Sequence, residues 1–68
     1  MTPPVQYVLS VLVVALNEER HIPNLKSALD KLQLPETWRI ESILVDGGSR
    51  DATVAVARAA GFEECLVL

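Results

Sequence analysis

Two short polar clusters, about thirty positions apart, contain the side chains best suited to chemistry. The first is Ala15-Leu16-Asn17-Glu18 and the second is Asp46-Gly47-Gly48-Ser49-Arg50-Asp51, and each stands at the end of an apolar run. A carboxylate in such a position can accept hydrogen bonds from ribose hydroxyls or from a base N–H. Gly47 and Gly48 permit positive φ angles and a close approach of the backbone to a flat ring. This combination suits a nucleoside.

A phosphate group fits the second cluster less well. Asp46 and Asp51 place two negative charges where a helix start would otherwise attract an anion, so a diphosphate would need a cation from elsewhere. Structural roles remain open for the same residues. Asp46 would then bond only the following turn, and Ser49 would only cap a helix. Asn17 and Glu18 would be ordinary polar residues before a helix.

The remaining single residues favour structural roles. Cys65 is the only cysteine, which excludes an internal disulfide and a thiolate metal cluster and favours a small buried hydrophobe. His21 is isolated and suits a solvated position at a helix entrance. Tyr7 and Trp38 are more typical of core or rim packing than of base stacking.

The elements that must position both clusters follow from the apolar pattern. After a short leader with Pro3 and Pro4, the Val- and Leu-rich run from Tyr7 to Ala15 predicts a strand buried on both faces. A helix is predicted next, with Pro23 in its first turn and its end before Pro35. Its apolar positions are Ile22, Leu25, Leu29 and Leu32.

A second strand, a second helix and a third strand complete the pattern. Residues 39–46 are dense in apolar and β-branched side chains, which predicts a strand. Ser49 is the expected cap of the second helix, Asp51 lies in its first turn, and Gly61 ends it after Ala60. A third apolar strand begins at Cys65 and runs to Leu68.

This order predicts an α/β fold with an open parallel sheet of βαβαβ topology, a truncated Rossmann-like half-domain covering residues 1–68. Further strands are expected beyond Leu68, and the unpaired edge beside the third strand is expected to promote self-association. Ligands of open parallel sheets bind beyond the carboxyl ends of the strands. If the first two strands are neighbours, Asn17, Glu18 and Asp46 therefore line one crevice.

Composition restricts the class of protein. At 68 residues the chain is at most one small domain, and with half its residues apolar and a net charge of -3 it suggests neither disorder nor nucleic-acid binding. The longest apolar run, Val11 to Leu16, is too short for a membrane-spanning helix. No basic residue precedes this run, unlike in a secretory signal. The expected location is cytoplasmic.

The two clusters together resemble the opening of family 2 glycosyltransferases. The resemblance rests on three segments and on their order and spacing, and it spans nearly the whole chain. The segments are Ser10-Val11-Leu12-Val13-Val14-Ala15-Leu16-Asn17-Glu18-Glu19, Ile43-Leu44-Val45-Asp46-Gly47-Gly48-Ser49-Arg50-Asp51-Ala52-Thr53 and Ala57-Arg58-Ala59-Ala60-Gly61.

The resemblance implies a GT-A fold, a nucleotide-diphosphate sugar as donor, and transfer to an acceptor that the sequence does not identify. It implies a divalent metal, Mg or Mn, held by an acidic motif of the parent protein that this chain lacks, so the 68-residue chain alone is expected to hold no metal and to be inactive. No residue can be assigned as catalytic. The implied nucleotide-binding residues are Leu16, Asn17, Glu18, Asp46, Gly47, Gly48 and Ser49. Leu16 stands where many members carry an aromatic residue, and Gly47 where many carry a second aspartate.

Rival nucleotide-binding classes lack their motifs. A dinucleotide-binding unit requires Gly-x-Gly-x-x-Gly after the first strand, where this chain has Ala-Leu-Asn-Glu-Glu-Arg, and no phosphate-loop motif occurs. The alternative from another class is a non-catalytic nucleotide-binding or dimerising α/β module.

Overall fold

The computed structural model describes residues 4–68, so Met1 to Pro3, with the first proline of the expected leader, lie outside the described residues. It is an α/β structure in which an open three-stranded parallel sheet alternates with two helices, which confirms the predicted fold class. The elements are β1 (Tyr7–Ala15), α1 (Ile22–Asp30), β2 (Trp38–Asp46), α2 (Thr53–Ala60) and β3 (Glu64–Val67).

The strand order β1-β2-β3 places β2 in the centre. β1 pairs with β2 along its whole length, from Tyr7 opposite Trp38 to Ala15 opposite Asp46. β3 pairs only with the carboxyl half of β2, and its register ends with Asp46 opposite Val67. The carboxyl ends of all three strands are therefore level, and the segments that follow β1 and β2 leave the sheet side by side.

The core lies on one face of the sheet, between the strands and both helices. It consists of five buried hydrophobic residues, with partly buried neighbours from β1, β3 and both helices around them. Two right-handed crossovers that step in the same direction along a sheet place both helices on the same side. The buried residues are Ala15, Ile22, Leu44, Ala57 and Phe62.

The prediction that the first strand is buried on both faces is wrong. Ala15 is buried on the helix side, but Leu12 is 61% and Val14 77% exposed on the opposite side. β1 is an edge strand, and both helices cover the other face. The apolar run therefore indicated a strand correctly but not the number of covered faces.

The helices differ from prediction at the last turn of α1 and at the first turn of α2. Pro23 lies in the first turn of α1 as predicted, whereas Leu32 lies beyond its last residue, Asp30. α2 begins at Thr53, four positions after the predicted cap. Its predicted end is confirmed, because Gly61 adopts φ 100° and its N–H donates to the carbonyls of Ala57 and Arg58.

Candidate functional site

Two loops meet at the carboxyl edge of the sheet: the first loop, residues 16–21, and the second loop, residues 47–52. A reciprocal pair of hydrogen bonds joins them. The backbone N–H of Asn17 donates to Oγ of Ser49 at 2.8 Å, and the N–H of Arg50 donates to Oδ1 of Asn17 at 2.8 Å. The structure thus brings Asn17 and Ser49 together, from positions 32 residues apart.

Three more hydrogen bonds continue this contact toward α2. The N–H of Glu18 donates to Oγ1 of Thr53 at 2.9 Å, and the N–H of Glu19 donates to Oδ2 of Asp51 at 3.3 Å. In return, the N–H of Ala52 donates to Oε2 of Glu19 at 3.3 Å. Because side chains on each side satisfy backbone groups on the other, the two loops form a single hydrogen-bonded structure. We call it the loop unit; it comprises residues 16–21 and 47–52 with the flanking Asp46 and Thr53.

Asn17 sits at the bend that makes this contact geometrically feasible. Its φ of 53° lies in the left-handed region, where asparagine is among the few non-glycine residues found with any frequency. In this conformation both its backbone N–H and its side-chain oxygen meet the second loop. The role of Asn17 in the structure is therefore to join the loops.

Asp46 is only 2% exposed, although we expected its carboxylate to line the crevice and face a ligand. Its Oδ2 accepts the N–H groups of Gly48 at 3.1 Å and Ser49 at 2.9 Å, and its Oδ1 accepts the Ser49 hydroxyl. The expectation is corrected because the second loop folds back over the carboxylate. The Asp46 carboxylate therefore stabilises the turn by accepting hydrogen bonds from Gly48 and Ser49.

Hydrogen bonding lowers the pKa of Asp46 below its ordinary value of 3.8. The main cause is the Ser49 hydroxyl, followed by the Ser49 backbone N–H, while burial acts in the opposite direction and the Gly48 N–H adds a smaller decrease. Each of these donors stabilises the charged carboxylate. The turn therefore depends on an ionised Asp46.

Asp51 takes over the function at the start of α2 that the sequence had suggested for Ser49. Its Oδ1 accepts the Thr53 N–H at 3.0 Å and the Thr53 hydroxyl. The pKa of Asp51 is lowered, chiefly by that hydroxyl, while desolvation and the negative charge of Asp46 act against the decrease. The Ser49 hydroxyl is already engaged by Asp46 and Asn17, which is why the predicted cap is wrong.

Thr53 is fully buried and contacts both loops, although no sequence motif assigned it a role at the site. An aspartate two positions before a threonine is a usable signal, since such side chains bond backbone N–H groups two residues further along. Glu19 was likewise quoted only as part of the resemblance. Both are structural members of the loop unit.

The other predicted nucleotide-binding residues lie at the surface of the loop unit. Leu16 is 56% exposed and adjoins Gly47, whose N–H donates to the Ala15 carbonyl at 2.9 Å. Of the two glycines only Gly48 has a positive φ, 99°, and nothing lies within 4 Å of a Cβ built there. Glu18 is half-buried, and its Oε2 is 2.6 Å from Nδ1 of the exposed His21.

Residues 4–68 do not fit a divalent metal ion. No group of three or more His, Cys, Asp or Glu side chains in this part of the chain is placed to hold one. The carboxylates of Asp46 and Asp51 already accept hydrogen bonds from the loop. No chemistry that depends on a metal can therefore be assigned to these loops.

A cavity of about 380 Å³ lies elsewhere, on the helix side of the sheet near the amino end of β2. Leu29, Trp38 and Ile40 contribute apolar surface, while Lys26 and Arg39 are among its charged residues. Tyr7 stacks on Trp38 at a ring-centroid distance of 4.8 Å nearby, in agreement with the packing role predicted for both aromatics. The cavity does not include the loop unit.

Comparisons with known proteins assign no family. A scan against protein-family models and searches of curated proteins and of solved structures found nothing that matches this chain. Among residues 4–68, neither helix has the length and apolar character needed to cross a membrane.

Proposed function

We propose that this chain is the nucleotide-binding portion of a family 2 glycosyltransferase, and that the loop unit holds the nucleoside part of a nucleotide-diphosphate sugar. The supporting observation is the contact between the two loops. Residues 17 and 49, which belong to two of the three segments of the family resemblance, are joined at the carboxyl edge of a parallel sheet, where such folds bind ligands.

The exposed surface of the loop unit has the character that a nucleoside requires. The Leu16 side chain offers apolar area, and the open backbone at Gly48 lets a planar ring approach closely. The Glu18 carboxylate, half-buried in the first loop and 2.6 Å from Nδ1 of His21, is an acceptor for ribose hydroxyls. In this proposal Asn17, Asp46 and Ser49 act indirectly, by holding the two loops together.

Charge argues that the phosphates are not held here. Glu18, Glu19, Asp46 and Asp51 all belong to the loop unit, and the ionised state of both aspartates is stabilised by their hydrogen bonds. These negative charges oppose a diphosphate at the start of α2. Cation chemistry for the phosphates, and the group that activates the acceptor, would come from other parts of the parent protein.

Isothermal titration of the 68-residue chain with uridine, UDP, other nucleoside diphosphates and inorganic diphosphate tests the proposal. We expect at least one nucleoside to bind with an affinity within about ten-fold of that of its diphosphate, a difference below 1.4 kcal/mol. Inorganic diphosphate should not bind. Leu16→Asp should weaken nucleoside binding. Leu66→Asp, on the sheet face that the helices leave uncovered, should not.

Two results would contradict the proposal. One is the absence of binding by every nucleoside and nucleoside diphosphate while circular dichroism shows a folded chain. The other is binding of inorganic diphosphate as tight as that of any nucleotide, which would assign the loops to an anion.

A further inference from the structure

The cavity near the amino end of β2 lies where the sheet is incomplete. β3 begins opposite Ile43, so residues 38–41 of β2 have no β3 residue beside them. Trp38, Ile40 and Ser42, at alternate positions of β2, line the cavity together with residues of α1 and of the segment that follows it. Its volume of about 380 Å³ falls within the range of sites for small molecules.

Apolar side chains in the cavity lining are only partly packed. Trp38 is 38% and Leu32 is 52% exposed, and Leu29 and Leu34 belong to the same lining. The Tyr7 ring stacks on one side of the Trp38 ring, which fixes the orientation of the indole beside the cavity. A ligand with an apolar side chain would remove this surface from water and gain the corresponding free energy.

Two ion pairs belong to the same lining. Lys26 donates to Asp30 one turn further along α1, and Nη1 of Arg39 lies 3.4 Å from both carboxylate oxygens of Glu63. The Lys26 side chain is only 13% exposed, and its ammonium group has three donors, of which the bond to Asp30 uses one. The contact between Arg39 and Glu63 is long for a charge-assisted hydrogen bond, and both side chains are about half exposed, so this pair opens at little cost.

The balance of these charges discriminates between classes of small ligand. A simple anion that binds a basic side chain leaves the acidic partner without its cation, and a simple cation leaves the basic partner without its anion. A zwitterion avoids this cost, because its carboxylate and its ammonium group each meet an opposite charge of the lining. An internal segment of a polypeptide carries neither charge on its backbone. The pattern therefore favours a free amino acid.

The Ser42 side chain adds a neutral polar group to the lining. Ser42 is only 2% exposed, and within residues 4–68 its hydroxyl forms no hydrogen bond. No fully enclosed side-chain oxygen or nitrogen in this part of the chain lacks a partner, so the Ser42 oxygen is accessible from the cavity. A hydroxyl both donates and accepts, so it can bond either charged end of a zwitterion.

We propose that this cavity binds a free α-amino acid with an apolar side chain. Lys26 and Arg39 receive its carboxylate, and Asp30 and Glu63 receive its ammonium group. Its side chain packs against Trp38 and the neighbouring leucines. This site lies apart from the loop unit, goes beyond the proposed function and does not depend on nucleotide binding.

NMR titration of the 68-residue chain with L-phenylalanine and with L-leucine tests this site. We expect shifts centred on Lys26, Trp38 and Arg39, and a Kd of about 1 mM or tighter for at least one of the two, as suits a ligand of this size. N-acetyl-L-phenylalanine lacks the ammonium group and L-phenylalaninamide lacks the carboxylate. Each should bind at least about ten-fold more weakly than L-phenylalanine, because one charge-assisted contact is lost. Glycine, which has no side chain, should also bind more weakly.

Two neighbouring glutamates provide a matched pair of variants. Glu63→Gln should weaken binding of the amino acid, whereas Glu64→Gln should not, because Glu64 lies in register with Ile43 and Leu12 on the uncovered face. Both glutamates are exposed, so both variants should remain folded by circular dichroism.

Three results would overturn the proposal. The first is the absence of shifts at the cavity up to the solubility limit of both amino acids. The second is binding of the acetylated and amidated forms as tight as that of L-phenylalanine, which would make the cavity an apolar site without charge selection. The third is an equal effect of Glu63→Gln and Glu64→Gln on binding.

Discussion

At the scale of single residues, the loop unit uses its most polar side chains for its own structure. Asp46, Ser49 and Asn17 form a chain of hydrogen bonds from the end of β2 to the end of β1. These were the residues for which the sequence left binding and structural roles open. The contacts show the structural role directly, and any nucleotide must use the more exposed groups around them.

Asp46→Asn should lower the free energy of unfolding at neutral pH and reduce its change between pH 7 and pH 3. The lowered pKa of Asp46 means that its contribution is fully present above about pH 5 and is lost as the pH falls through 3.8 toward the folded-state value. Urea unfolding between pH 3 and pH 7, with Glu36→Gln at an exposed position before β2 as control, measures this. A variant as stable as the control at pH 7 would show that the Asp46 hydrogen bonds do not hold the loop.

Gly48→Ala should cost about 1–2 kcal/mol of unfolding free energy, because alanine is strained in the left-handed region that Gly48 occupies. Gly47→Ala is the matched comparison. Its Cβ would lie 3.6 Å from the Ala15 carbonyl oxygen, an ordinary contact, and its φ is not positive, so the effect should be smaller. Thermal unfolding of both variants decides whether the positions differ in this order.

At the scale of elements, the strands and the start of α1 were predictable, whereas the start of α2 was not. Dense apolar runs located β1 to its exact bounds and β2 to within one residue, because strand formation depends on local composition. The start of α2 depends instead on the Ser49 hydroxyl, which cannot cap the helix because it bonds Asp46 and the N–H of Asn17. Asn17 lies 32 residues away from Ser49. A contact of that kind leaves no local signal in the sequence.

Thr53→Val should destabilise the junction between α2 and the first loop by about 1–3 kcal/mol. The substitution keeps the volume but removes the acceptor of the Glu18 N–H, leaving a partly buried donor unsatisfied. Thr37→Val, at a half-buried site outside the loop unit, is the control. Faster exchange of the Glu18 amide in Thr53→Val alone would locate the effect. Equal stability of the two variants would remove Thr53 from the unit.

At the scale of the whole molecule, the parallel topology and its crossovers were predictable, whereas coverage of the sheet was not. Apolar density in β1 suggested two buried faces, but the strand order places both helices on one side and leaves Leu12 and Val14 exposed. The same order sets the two loops next to each other at one edge. The number of buried faces depends on where the helices pack against the sheet, so the composition of one strand does not determine it.

The 68-residue chain should catalyse no sugar transfer from any nucleotide sugar, with or without Mg or Mn. Within residues 4–68 no cluster of three or more His, Cys, Asp or Glu side chains is placed to hold a metal, and the loop aspartates are engaged by hydrogen bonds. Product analysis after incubation with labelled donors measures this. Metal-dependent transfer above a heat-denatured control would contradict it.

The most direct test of a nucleoside site at the loop unit is amide-resolved NMR during titration with UDP and other nucleoside diphosphates. We expect the largest shifts at residues 16–19 and 47–50, with little change at Lys26 and Arg39 beside the 380 Å³ cavity. Shifts centred on that cavity with silent loops, or a folded chain without shifts at any nucleotide concentration, would contradict the account.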